Sequence, residues 1–310
     1  MRLRIKTSLY SFVLFFQLLQ ASSGVENFYL EGAFQKQAED ATQKTMAQDY
    51  EGALVSLKKI ELVNKGVACV LKSIVLISRY DDLGDTLDLQ RAAADLNSCQ
   101  VQGVWDALRN FQLGFVQSQM GHSVKSAFTT RSAASSFKNN PDLDARGFFS
   151  IYAYYVDNSF SWLPFVSDQR VLHLTNLNQA SQESKLFWPL FSTSLIWMYF
   201  DRGEFEKGLE IAKRILKDYP NHSVFLQIKA DMLYKMNRYD EAQKIYLRSV
   251  DEYHQKTGPS IRYWCSVANL VKIYKAKGDA EQALKWKQRL SSDDFSSLKK
   301  WIPSSVLQGL

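Results

Sequence analysis

Histidine and cysteine are the residues of this chain best suited to metal ligation, proton transfer or nucleophilic attack, so their spacing decides which of these is open. His122, His173, His222 and His254 stand at least 32 residues apart, with no cysteine or acid pair beside them at ligand spacing. Structural zinc and calcium sites gather most ligands from short segments. No His-Glu-x-x-His, paired Cys-x-x-Cys or calcium loop occurs here. A Gly-rich phosphate loop and a Gly-x-Ser-x-Gly elbow are missing as well. The sequence therefore predicts a non-catalytic chain with no metal and no cofactor. Each histidine is expected at the surface or in a link. A hydrolase whose site is assembled from distant residues stays open as a rival.

The three cysteines, Cys69, Cys99 and Cys265, allow at most one internal bridge. Cys69 lies near the start of a predicted helix, Val67–Arg79, and Cys99 lies just past the next, Thr86–Leu96. If those helices are antiparallel neighbours, the two ends meet and a Cys69–Cys99 disulfide forms. The alternative is that all three are small buried apolar residues. A structural disulfide implies an oxidising compartment, and the N-terminus carries a matching address. Arg2, Arg4 and Lys6 precede an apolar run from Leu9 to Leu19, and Ala21, Ser22, Ser23 and Gly24 follow. That order is the order of a secretory signal, with cleavage expected after Ser23. The rival is an uncleaved anchor, although the run is shorter than the roughly 20 apolar residues of a spanning helix. The expected compartment is the periplasm or the extracellular space.

Behind these residues stands a chain of 310 residues, 46% hydrophobic and 23% charged, which excludes a disordered chain. The formal charge is +6, but the first six residues supply half of it. The remainder is too weak a bias for a nucleic-acid partner. The most apolar later stretch, Leu186–Phe200, is interrupted by Pro189, Ser192 and Thr193 and reads as a buried helix. No stable membrane span is expected once the signal is removed.

From Glu26 onward apolar residues recur at three and four, the period of helices. About fourteen helices of 12–20 residues are predicted, with prolines at their edges. The helices pair, and the pairs repeat. Leu195–Pro220 places Gly203 at a turn, Phe205 beyond it and Gly208 in the second helix. A shift of 34 residues places Asn237, Tyr239 and Ala242 in the same roles, with Tyr246 where Ala212 stood. A third copy, offset by 41, supplies Gly278, Ala280 and Ala283. These residues resemble the tetratricopeptide repeat, a 34-residue helix–turn–helix with small, aromatic and Gly positions at fixed offsets. Tyr199, Gly203, Phe205 and Pro220 match it in one unit. Ala230, Leu233, Tyr239, Ala242 and Tyr246 match it in the next, and Tyr274, Gly278 and Ala283 in the third. The departures are Ile196, Asn237 and Lys287. Upstream the repeat is degenerate: Ala41, Tyr50 and Ala53 fit it, and Gly114 and Gly121 stand seven apart, but Ser126 replaces the usual Ala.

The resemblance implies an all-α, right-handed superhelix of about seven helical hairpins. Residues 1–23 form the signal, 24–188 a degenerate helical region, 189–290 three tetratricopeptide-like repeats and 291–310 a cap that includes Phe295, Leu298 and Trp301. It also implies a concave groove lined by the first helix of each hairpin. Carried over, the groove residues are Thr193, Trp197 and Phe200, then Gln227, Asp231, Tyr234 and Lys235, then Lys272 and Lys275. Rigid aromatics with a few charges suit a protein or peptide partner. The clamp for acidic C-terminal peptides needs Lys and Asn where Thr193 and Trp197 stand, so that specificity is not implied. The competing reading is a carbohydrate- or small-ligand-binding protein using Trp162, Trp197 and other exposed aromatics. The apolar Phe160–Phe165 segment is either a partner loop or a link folded into the core.

Overall fold

The computed structural model of the protein describes residues 27–160, 168–256, 258–302 and 304–310. The expected signal segment, Trp162 and nearly all of the Phe160–Phe165 segment lie outside the described residues. Among the described residues there is no strand, and fourteen helices of 10 to 19 residues form seven antiparallel hairpins. Hairpin 1 comprises α1 (Gly32–Met46) and α2 (Tyr50–Glu61), and hairpin 2 comprises α3 (Lys65–Leu83) and α4 (Thr86–Ser98). Hairpin 3 is α5 (Gly103–Gln119) with α6 (Ser123–Phe137), and hairpin 4 is α7 (Leu143–Phe160) with α8 (Arg170–Glu183). Hairpins 5, 6 and 7 follow: α9 (Trp188–Asp201) with α10 (Phe205–Asp218), α11 (Ser223–Lys235) with α12 (Tyr239–Lys256), and α13 (Ile261–Ala276) with α14 (Ala280–Arg289). A short α15 (Asp293–Leu298), a 3-10 turn (Lys299–Trp301) and α16 (Ser304–Leu307) end the chain. No described helix is long and apolar enough to cross a membrane.

Local chemistry sets the hairpin boundaries. Asp49, Asn64, Asp85, Ser260, Asp279 and Ser292 each cap a helix by accepting a backbone N–H of its first turn. Each described turn between paired helices has one residue in the left-handed region. Gly84, Gly121, Gly203 and Gly278 supply it at φ 72 to 83°, where a Cβ is costly. Asn237 takes it at φ 60°, as a short polar side chain tolerates. Gln48 takes it at φ 62° in hairpin 1.

Packing follows from residue size. Gly114, in α5, faces α6 so closely that a Cβ would lie 2.1 Å from the Thr130 hydroxyl oxygen. Ser126 fits there because its hydroxyl donates back to the Gly114 carbonyl at 2.7 Å. Ala230, Ala242 and Ala283 are buried where neighbouring helices approach, and Tyr246 is fully buried between them. Phe28 sits in a cluster of rings with Trp105, Phe137, Phe148 and Phe187, at centroid distances of 5.1 to 6.2 Å. This cluster fastens the N-terminal segment to hairpins 3, 4 and 5. At the other end Phe295 packs edge-on against Trp264 and covers the last hairpin.

One expectation about a single residue is corrected: His173 is buried within α8 rather than at the surface or in a link. His222 does stand in a link, before α11, and is buried there. His173 faces Asp157 and the Phe149 ring, and His222 packs on Phe225. Cys265 is a buried free thiol, and a disulfide joins Cys69 to Cys99 with Cα atoms 5.8 Å apart. It ties the start of α3 to the residue after α4. Closing a loop of 30 residues restricts the unfolded chain by about 3.6 kcal/mol. The Cys69→Ala/Cys99→Ala variant is therefore expected to unfold at lower denaturant with its helix content intact. An unchanged midpoint would show that the bond contributes nothing.

Candidate interaction groove

The first helices of the hairpins form an inner layer. In that layer α1 touches α3, α3 touches α5, and α7 touches α9. The same layer closes on itself, because α3 also meets α11 and α13 from the far end of the chain. The solenoid therefore returns to its own beginning, and this return decides which part of the inner face is open.

The seam is polar. Asp82, at the end of α3, is 3% exposed. It accepts from Tyr50 Oη at 2.9 Å, Gln48 Nε2 at 2.6 Å, Tyr253 Oη at 3.3 Å and the Ser223 hydroxyl. Arg262 donates to the Asp81 carbonyl, and its guanidinium lies 3.6 Å from the Asp81 carboxylate. Nearby, Thr42 Oγ1 donates to the Leu186 carbonyl at 3.2 Å, and the Tyr219 hydroxyl meets Gln43. Hairpins 1 and 2 thus cover the starting ends of α9, α11 and α13.

The expected groove residues divide along this line. Thr193 is half-buried and satisfies its hydroxyl on the Pro189 carbonyl at 2.9 Å. Gln227 is buried and accepts from Arg262 at 3.3 Å. Asp231 accepts from the Tyr246 hydroxyl and from Asn269 Nδ2 at 3.2 Å. Burial raises its carboxyl to about 6. Lys272 is half-buried, and desolvation together with Lys235 lowers its ammonium pKa. Lys275 is exposed and donates to the Gly309 carbonyl of the C-terminal tail at 3.2 Å.

The remaining residues lie together at the turn end of the repeats and are uncovered. Trp197 meets Phe200 edge to face at 5.4 Å, and Phe200 meets Phe205 at 5.3 Å. The Lys235 ammonium sits 5.4 Å from the centre of the Phe200 ring, within reach of its negative face. Tyr234 leans on Tyr239 at 5.7 Å. Trp197, Phe200 and Tyr234 are each half-buried: packed on one side and open on the other. Tyr154 Oη bonds the Met198 carbonyl at 3.1 Å and fixes α7 beside this strip.

Three residues that build the seam escaped the sequence reading: Asp82, Arg262 and Gln48. Asp82 falls seven residues after Val75 and eleven after Leu71, on the same helix face. An acid on an apolar face was the available signal. Among the described residues no cluster of three possible metal ligands occurs. A groove of about 390 Å³ between α2, α3 and α4 is lined by Glu51, Lys72, Arg79, Arg91 and Asp95. Its cations face acids: Lys72 meets Asp95, and Arg79 meets Glu51 and Asp88.

His222 borders the seam, and burial lowers its pKa to about 4, against the opposing pull of Asp82. Its folded pKa lies below the unfolded value near 6.5. The stabilising contribution is thus present above pH 6.5 and is lost as pH falls toward 4. Unfolding free energies of the wild type and His222→Gln, compared at pH 7.5 and pH 5, are expected to differ in their pH response. The wild type should lose about 2 kcal/mol relative to the variant. An equal response of the two proteins would mean that His222 titrates normally.

No family model matches the sequence, and no curated protein is similar to it. Solved structures are similar in shape. A Rap protein complexed with Competence and Sporulation Factor superposes with a TM-score of 0.54 at 11% identity, covering 88% of this chain and 79% of that one. A tetratricopeptide repeat protein from Parabacteroides merdae gives a TM-score of 0.40 at 12% identity, covering 89% and 99%. At such identities the likeness is one of fold. Together with the stacked hairpins and the positive-φ residues of their described turns, the likeness to the Rap protein gives this chain a tetratricopeptide-like fold, an all-α solenoid of paired helices.

Proposed function

We propose that the chain is an exported, non-catalytic scaffold of the cell envelope that holds a protein or peptide partner against the turn end of its inner face. The observation that carries this reading is the uncovered strip of Trp197, Phe200 and Tyr234 with Lys235 above it. Half-buried aromatics are held rigid by their neighbours, so they offer apolar area at little entropic cost, as interface anchors do. Lys235 adds a cation that favours a partner with acidic or carbonyl oxygens at that end. The Rap protein of similar fold was solved in a complex, which supports ligand capture by this architecture. The Cys69–Cys99 disulfide supports an oxidising compartment and hence export. The carbohydrate reading draws less support. Trp162 lies outside the described residues, and Trp197 shares its exposed side with Phe200 and Lys235 in one strip.

A photo-crosslinking residue placed at Lys235 is expected to trap one partner in the native host. The same residue at Leu284, exposed on α14 away from the strip, is expected to trap none of it. Trp197→Ala and Tyr234→Ala should each weaken capture at least about tenfold, the loss expected of an anchor residue. Their helix content should stay unchanged. Partner recovery at the wild-type level by both variants would sink the assignment.

A further inference from the structure

Hairpin 1 departs from the turn chemistry of its fellows where the two ends of the solenoid meet. Its left-handed turn position holds Gln48 at φ 62°, where the other described hairpin turns use Gly or Asn. A long side chain in that region costs about 1 kcal/mol or more, and such strain persists only where the surroundings enforce it. Here the side chain supplies the reason. The Gln48 amide donates to Asp82 and also reaches the Ser223 hydroxyl. Ser223 and Tyr253 bring hairpin 6 to the same carboxylate, and Tyr50 brings hairpin 1. Next to it, Arg262 of hairpin 7 holds Asp81. Gly84 approaches Ile261 so closely that a Cβ would lie 2.9 Å from its backbone nitrogen.

We propose that Gln48, Asp82 and Ser223 form a latch that holds hairpins 1 and 2 against hairpins 6 and 7, and that its release opens the solenoid. The joints between consecutive hairpins run along whole helices, with polar pairs such as Ser73 and Gln112 among many apolar side chains. The latch is a buried carboxylate with several donors, stable only when its set is complete. Gln48 is one of four donors to this carboxylate and also reaches Ser223 across the seam, so removing it leaves the buried carboxylate short of a donor and loosens the seam. Opening uncovers Gln227 and the starting ends of α11 and α13, which enlarges the inner face for a partner. That last consequence rests on the function proposed above; the latch itself does not.

The test uses the whole chain without any partner. Gln48→Gly removes the amide and at the same time suits the left-handed turn, so misfolding is not the expected outcome. Gln48→Glu keeps the size and sets a like charge against Asp82. Both variants should keep the helical circular dichroism of the wild type and show a larger radius of gyration in small-angle scattering. Amide exchange should quicken at least about tenfold at residues 80–84 and 223–227 and stay unchanged in α5–α8, with Gln48→Glu the more open of the two. Wild-type compactness and exchange in both variants would overturn the latch, and so would loosening spread evenly over all seven hairpins. Opening of the variants combined with wild-type partner capture by Trp197→Ala and Tyr234→Ala would leave the latch standing and remove the proposed binding strip.

Discussion

A carboxylate taken out of water must be met by donors, and Asp82 is met by donors from both ends of the chain. The rest of the architecture is arranged around this requirement. Stacked helical hairpins bury their faces on their neighbours, so a solenoid needs no contact between its ends. This one makes that contact. Tyr50 and Gln48 reach Asp82 from one side, and Ser223 and Tyr253 reach it from the other. A repeat that is normally an open spiral becomes a closed body whose inner face is partly occupied by its own first helices.

Closure explains why the groove residues do not act alike. Gln227 and Asp231 point to the interior and have their hydrogen bonds satisfied by Arg262, Tyr246 and Asn269. Tyr234 sits farther along the same helix, Trp197 and Phe200 lie toward the corresponding end of α9, and all three keep one side open. Helical periodicity alone places all of them on one face. The distinction between them comes from what lies across the axis, about which the period is silent. The N-terminal segment contributes in the same way, since Phe28 adds its ring to a cluster drawn from hairpins 3, 4 and 5.

Much of the fold was legible because tetratricopeptide chemistry is local. The three-and-four spacing marks the helices, and Gly203, Asn237 and Gly278 mark turns that require a positive φ. Ser126 looked like a departure, yet its hydroxyl completes the contact that a small residue makes elsewhere. The site was less legible. Asp82 and Ser223 are 141 residues apart, and no local pattern pairs them. Arg262 carries no local signal that sets it apart, and His222 was expected at the surface or in a link. Their burial is a property of the closed superhelix, and single-sequence spacing carries no signal of closure.

The central claim is that the ends meet, and one distance tests it most directly. Gln43 and Pro220 are exposed residues on the two sides of the contact between hairpins 1 and 5. Spin labels at these two positions report the separation by pulsed electron resonance. The closed solenoid predicts a single narrow population at short distance. A broad distribution centred at long distance would describe an open spiral and contradict the account.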